Sequence, residues 1–239
     1  MLDVLKRIYL RIHQENTDPL KIGERARKAI WDTRAEFFIG DVIGKNVLEI
    51  GCGYGYNAFL FSKYANNVVG VDIDKKAIEA AMQNYQNIDN IEFINNDAIS
   101  FLRSTSRKFD YIVIFEFIEH LNIKEQTELV GLFVRVLNTS GTVFISTPNG
   151  KHVPIYRNNP YHKHEMSLNE LAKVFKDFNF LEVKGQIPLF FIYIPLPWSW
   201  IGNMISWFGL YHWLYEIRTN PNASRTLFIR AKIKEKEKI

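Results

Sequence analysis

The sequence predicts an α/β protein in which a parallel sheet carries helices on both faces. Three observations predict it. Short apolar runs alternate along the chain with segments of helical periodicity. The first of these runs, Val47-Leu48-Glu49-Ile50, breaks into Gly51-Cys52-Gly53-Tyr54-Gly55, the pattern of a buried strand turning sharply around a ligand, with the first two glycines letting the backbone approach it. A second run, Asn67 to Val71, ends in Asp72, about twenty residues beyond the first glycine, where a ribose diol would need an acceptor.

The elements follow in order. Residues 1–43 are amphipathic and are expected to form an N-terminal helical region, ahead of a main domain over 44–239. Strands are expected near 46–50, 67–71, 91–94, 109–115, 141–146, 180–186 and 225–233. Asp74 can cap a helix running through Ala77, Ala80 and Met82, and Asn122 another carrying Leu129, Leu132, Phe133 and Leu137. Ser167-Leu168-Asn169-Glu170 is a capping box, opening a helix with Leu171, Val174 and Phe175 on its buried face. Internal repeats and low-complexity tracts are absent from the sequence.

Composition bounds the function. With 239 residues, 47% hydrophobic and 23% charged, the chain can bury a large core, which excludes a disordered protein. Its single cysteine, Cys52, has no internal disulfide partner, and Met1 to Leu10 lacks a signal-peptide core, so a cytoplasmic location is expected. Cys52 reads as a small residue packed under the glycine turn. A net charge of +4 permits anionic partners. The basic residues nevertheless gather at the tails, as Lys6, Arg7, Arg11 and Lys232 to Lys238, away from the aromatic-rich run, so nucleic acid is not an expected partner. Arg25, Arg27, Lys28 and Arg34 read as a solvated helix face, with the alternative that Arg34 reaches the carboxylate of a cofactor.

Tyr56 stands where the third glycine of a dinucleotide fingerprint would fall, which argues against NAD. The hydrophobic strand, acidic residue and G-x-G-x-G instead resemble the first motif of the class I S-adenosylmethionine-dependent methyltransferases, over roughly residues 30 to 185. The resemblance implies a Rossmann-like sheet of seven strands, mostly parallel, whose last strand is antiparallel, and it places 180–186 and 225–233 at that end. It also implies S-adenosylmethionine as cofactor. Glu49 with Gly51, Gly53 and Gly55 would surround the methionine part, Asp72 would bind the ribose hydroxyls, and Asp97 with Ala98 would lie beside the adenine.

A second constellation follows the fourth strand. Glu116, Glu119 and His120 are spaced i, i+3, i+4, positions that share a face on one helical turn. Such a set suits a divalent cation, Mg²⁺ or Mn²⁺ through the carboxylates or Zn²⁺ through the imidazole. The competing reading is that these residues cap a helix or orient a substrate. E-x-x-E-H here resembles the motif of the ubiquinone-biosynthesis O-methyltransferases and the small-RNA 2′-O-methyltransferases, where it binds a divalent metal; both groups act on hydroxyls. Ser146-Thr147-Pro148-Asn149 and Tyr161 to Ser167 resemble the segment that follows in the RNA group, where a histidine supplies a further ligand. His162 is nearest in register and His164 is the alternative. The implied ligands are Glu116, Glu119, His120 and His162, with His164 as candidate base; without a metal, His120 becomes the base and Glu119 its orienting partner. The expected reaction is O-methylation of a hydroxyl on a small molecule, quinol precursor or glycan. A metal-independent N- or C-methyltransferase, or a catalytically silent cofactor-fold adaptor, are the other readings.

From Gly185 to Tyr215 the chain holds no Asp, Glu, Lys or Arg, and Trp198, Trp200, Trp207 and Trp213 stand among prolines and glycines. Those breakers interrupt it before the roughly 20 apolar residues of a membrane span. A hydrophobic insertion over 187–222, between strands six and seven, is therefore expected. It reads as a lid, a dimer contact or a peripheral membrane contact through 187–215, and favours a lipid-linked acceptor.

Overall fold

The structure, a computed structural model, describes residues 34, 37–152, 160–188 and 220–234. The expected N-terminal region up to residue 33 and the insertion from 189 to 219 lie outside the described residues.

Seven strands form one sheet: β1 (Asn46–Ile50), β2 (Asn67–Asp72), β3 (Ile91–Asn95), β4 (Phe109–Phe115), β5 (Leu137–Pro148), β6 (Phe178–Pro188) and β7 (Ser224–Ile233). Their order is β3-β2-β1-β4-β5-β7-β6. Neighbours pair in parallel from β3 to β5, whereas β7 runs antiparallel between β5 and β6, so the last strand is antiparallel as the resemblance implied. The order reverses between β1 and β4, which opens a crevice at their carboxyl ends. Both chemistry-bearing motifs, the glycine loop after β1 and Glu116 to His120 after β4, emerge there.

Helices cover both faces, which is why the central strands are continuously apolar. Helices α1 (Tyr56–Ser62) and α2 (Lys75–Asn84) close one face over Val47, Val113 and Phe144. On the other, α3 (Ala98–Ser104), α4 (Ile123–Val136) and α5 (Leu168–Val174) pack on Leu48, Ile112 and Ile145. Phe38 stacks on Phe144 at 4.2 Å and Phe115 at 5.6 Å, fixing the approach to β1.

The three caps form as expected. Asp74 accepts from the amides of Lys76 and Ala77, Ser167 and Glu170 close their box, and Asn122 forms a box with Glu125. Two details differ. The buried face of α2 is Ala77, Ile78 and Ala81, leaving Ala80 half-buried and Met82 exposed. Leu137 belongs to β5 and not to α4: its backbone is extended (φ −77°, ψ 147°), and its side chain is buried in the same core that the periodicity had assigned to the helix.

The root of the insertion is firmly held. Pro188 pairs with Ser224, Ser224 Oγ donates to Asn220 O at 2.7 Å, and Asn149 Nδ2 donates to Pro221 O at 2.9 Å and Ser224 O at 3.1 Å. Both ends of the insertion therefore meet at the carboxyl end of β5. No helix among the described residues is long and apolar enough to cross a membrane.

Candidate functional site

Gly51, Gly53 and Gly55 all have positive φ, at 73°, 50° and 78°, a region that L-residues with a Cβ enter only at a cost. Their surroundings differ. A Cβ on Gly51 would lie 2.6 Å from Phe117 Cδ2, and one on Gly55 2.5 Å from Phe93 Cζ, while one on Gly53 would meet nothing within 4 Å. Two of the glycines thus make room for aromatic rings of the protein, and Gly53 alone keeps a clear side for a ligand. Cys52 lies beneath the turn, its sulfur 2.9 Å from where a Cβ on Gly70 would stand. Burial first, then the charges of Glu49 and Asp72, push its thiol pKa up and keep it unreactive.

Asp72 braces this loop, with Oδ2 accepting from Gly53 N and Oδ1 from Asp74 N, both at 2.8 Å. Each carboxylate oxygen has a second lone pair, so capacity for a ribose diol remains. Glu49 is buried beside it. Its Oε1 accepts from Asn57 Nδ2 at 3.0 Å, but Oε2 is buried with no hydrogen-bond partner. Burial, with a smaller push from Asp72, raises its pKa to about 8. An orphaned buried acceptor is costly unless a ligand supplies the donor, and the ammonium of a methionine moiety would do so. Asp97 caps α3, accepting from Ser100 N at 2.8 Å, with Ala98 buried behind it. Ile73, which sequence reasoning missed, projects beside Asp72 and is 72% exposed; Asn95 Nδ2 holds its carbonyl at 3.0 Å. Its signal was an isoleucine between a strand-ending aspartate and a helix cap, outside both buried patterns.

The segment after β4 is not the single helical turn that the spacing suggested. Glu116 has φ 47°, the only positive value outside glycine among the described residues. Phe117 then rests against Gly51, and Ile118–His120 form a 3-10 turn. The left-handed residue separates the motif's two glutamates. Glu116 Oε1 accepts from Ser146 Oγ at 2.9 Å and pairs with Arg34 at 3.6 Å, whereas Glu119 and His120 converge with His162, one ligand atom from each lying within 4.8 Å of the others. Glu116 is therefore outside the group expected to hold a cation. Arg34 is not on a solvated face: it is 6% exposed. Its described partners are Glu116 and, at 3.3 Å, Gln186, with Phe228 below it, rather than the glycine loop.

Glu119 is 1% exposed. Its Oε2 accepts from Thr147 Oγ1 at 3.2 Å, and its Oε1 is buried without a partner. Burial and then the charge of Glu116 hold its pKa well above the carboxylate range. His120 places Nδ1 3.0 Å from Tyr161 O; burial, then His162, lowers its pKa. The His120 and His162 rings meet edge to face at 5.0 Å, and Nδ1 of His162 meets Glu165 Oε1 at 2.5 Å. His164, the expected base, points elsewhere: Nδ1 lies 3.0 Å from Gln126 Oε1 and Nε2 3.7 Å from Glu170, so it binds α4 to α5 instead.

Gln126 is the second residue that sequence reasoning missed. Fully buried on the apolar stripe of α4, it donates to Ile118 O at 2.9 Å and His164 O at 2.8 Å. Together with Lys163 N and His164 N, which donate to Glu119 O at 2.9 and 3.1 Å, it docks the histidine segment onto the 3-10 turn. A glutamine in register with Leu129, Val130 and Phe133 was the available signal. One carboxylate and two imidazoles form a donor set suited to Zn²⁺, Mn²⁺ or another transition metal more than to Mg²⁺.

Residues 47–141 match the family described as methyltransferase domain. Among curated proteins, the chain is 32% identical over 153 residues to a probable S-adenosylmethionine-dependent methyltransferase of Mycolicibacterium smegmatis, covering 62% of this chain and 56% of that protein. It is 30% identical over 148 residues to a ubiquinone biosynthesis O-methyltransferase of Pasteurella multocida, covering 58% and 55%. The chain spans about half the length of the curated relatives it matches. The crystal structure of N-methyltransferase NodS from Bradyrhizobium japonicum WM9 in complex with S-adenosyl-L-homocysteine is similar with a TM-score of 0.66, at 15% identity over 95% of this chain and 98% of that one. A methyltransferase from Archaeoglobus fulgidus gives a TM-score of 0.63 at 20% identity, over 86% and 94%. With the glycine loop, Glu49 and Asp72 arranged around the crevice between β1 and β4, the chain has the Rossmann-like fold of the class I S-adenosylmethionine-dependent methyltransferases, and residues 47–141 match a methyltransferase domain.

Proposed function

We propose that the chain transfers a methyl group from S-adenosylmethionine to a hydroxyl oxygen of a small-molecule, quinol-precursor or glycan acceptor, with a divalent cation held by Glu119, His120 and His162. The observation that carries this reading is the buried Glu119 oxygen without a partner, grouped with two imidazoles on the strand end that adjoins the glycine loop. A carboxylate so placed costs stability unless a cation or a donor meets it.

On the cofactor side, Glu49 Oε2 would accept from the ammonium, Asp72 from the ribose hydroxyls, and Ile73 would cover one face of the base. Such fixed partners align a sulfonium methyl for in-line displacement, and the enzyme's task is then to present the acceptor oxygen and remove its proton. A bound divalent cation supplies Lewis acidity, lowering the pKa of a coordinated hydroxyl. In the cation-free alternative, burial keeps His120 neutral and its imidazole takes that proton, with Glu119 as its orienting partner. The uncharged stretch 189–215, rooted at the same sheet end, favours an apolar or lipid-linked acceptor met at a membrane surface.

Calorimetric titration of chelator-treated protein with Mg²⁺, Mn²⁺ and Zn²⁺ in the presence of S-adenosylhomocysteine tests the reading. One ion per chain is expected. Glu119→Ala should abolish ion binding and leave S-adenosylhomocysteine affinity within a few fold. Wild type that binds no ion would retire the cation, and a Glu119→Ala variant that loses the nucleoside would overturn the division between the two half-sites.

A further inference from the structure

Glu165 belongs to neither motif, yet its carboxylate is the one that touches the histidine cluster from behind. Its Oε1 lies 2.5 Å from His162 Nδ1, with both side chains at most 10% exposed. The backbone around it is fixed. Gly150 N donates to Met166 O at 3.1 Å, and a Cβ on Gly150 would strike the Glu165 carbonyl, so the chain after β5 lies directly against this residue. On the far side, the amides of Lys163 and His164 are bound to Glu119 O. The backbone of the segment carrying His162 and Glu165 is thus clamped between the chain after β5 and the 3-10 turn.

A neutral imidazole whose Nδ1 donates to a carboxylate carries its lone pair on Nε2. We propose that Glu165 is a positioning residue that holds the proton of His162 on Nδ1, so that Nε2 is the nitrogen offered to Glu119 and His120. The arrangement is that of a carboxylate behind a ligating imidazole, which sets ring orientation and tautomer. The inference rests on the proposed cation site, where Nε2 serves as the ligand; the tautomer itself is a property of the free protein.

The test uses nitrogen-resolved NMR of the histidine side chains of the full chain at about pH 8, beside Mn²⁺ titration, for wild type, Glu165→Ala and Glu165→Gln. His162 should carry its proton on Nδ1 in wild type and keep it in Glu165→Gln, whose amide oxygen still accepts. In Glu165→Ala the proton should move to Nε2, the form a histidine in water favours. Mn²⁺ binding should weaken about 10- to 100-fold in the alanine variant and less in the glutamine one, with S-adenosylhomocysteine affinity within a few fold throughout. An unchanged His162 tautomer in Glu165→Ala, or an Nε2 proton in wild type, overturns the inference. The expected tautomer shift in Glu165→Ala, beside a wild type that binds no Mn²⁺, sustains the role of Glu165 and rejects the cation.

Discussion

Alanine at Gly53 and at Gly55 should have opposite signatures, because the two glycines answer different demands. At Gly55 the added methyl would collide with Phe93 on top of the left-handed strain, so stability should fall by about 2–4 kcal/mol in urea unfolding. At Gly53 the methyl has open space; stability should drop by only about 1 kcal/mol, while S-adenosylhomocysteine affinity falls at least about tenfold as the methyl occupies the ligand's approach. Glu49 makes a second prediction at this scale. Its carboxyl ionises at about 8 in the folded chain against an ordinary 4.5, so between those values the folded state holds a proton that the unfolded state has lost. Stability must then fall as pH rises from about 4.5 to about 8. Glu49→Gln should remove that slope, on the order of 3 kcal/mol between about pH 5 and 8.5, when its urea unfolding is compared with wild type. Since an incoming ammonium favours the ionised carboxyl, nucleoside binding near pH 7 should release a proton, seen as buffer-dependent heat in wild type and absent from the variant.

The short elements around the site are held by residues far apart in sequence. Gln126→Leu keeps the shape of α4's buried stripe and strips the donors from Ile118 O and His164 O, so a loss of about 2–3 kcal/mol is expected. Hydrogen exchange should localise the loosening to Lys163 and His164, and cation affinity should fall with it. This element also shows where sequence reading reaches its limit. That Glu49, the three glycines and Asp72 meet at one strand end was legible because a strand and its turn bring neighbouring residues together. The caps were legible for the same reason. The place of Glu116 was not, because i, i+3, i+4 spacing assumes a continuous helix, and one left-handed residue at Glu116 breaks that assumption while leaving no mark in the local pattern; the partners of Arg34 and His164 are distant in sequence. Leu137 failed in another way: an apolar residue at helical spacing is equally an apolar residue at the start of a buried strand, and only the sheet register decides.

Across the whole molecule, β7 does the joining. It pairs with both β5 and β6, contributes Leu227, Phe228 and Ile229 to the two cores, and brings the end of the insertion back beside its start. Because Pro188 and Ser224 already face each other, replacing 189–219 with a short Gly/Ser linker should leave the unfolding midpoint within a few degrees and S-adenosylhomocysteine affinity within a few fold. Sedimentation with lipid vesicles should lose the shortened chain and retain the full one if this stretch meets membranes. The antiparallel strand could be anticipated through the family resemblance alone, since strand pattern carries no direction. Cys52 is the chain's only cysteine, sealed between the glycine loop and Gly70, so a thiol reagent can touch it only while that loop is lifted from the sheet. The molecule thereby carries its own reporter: alkylation rate counts loop openings, and occupancy of the crevice can be read as protection without any engineered label.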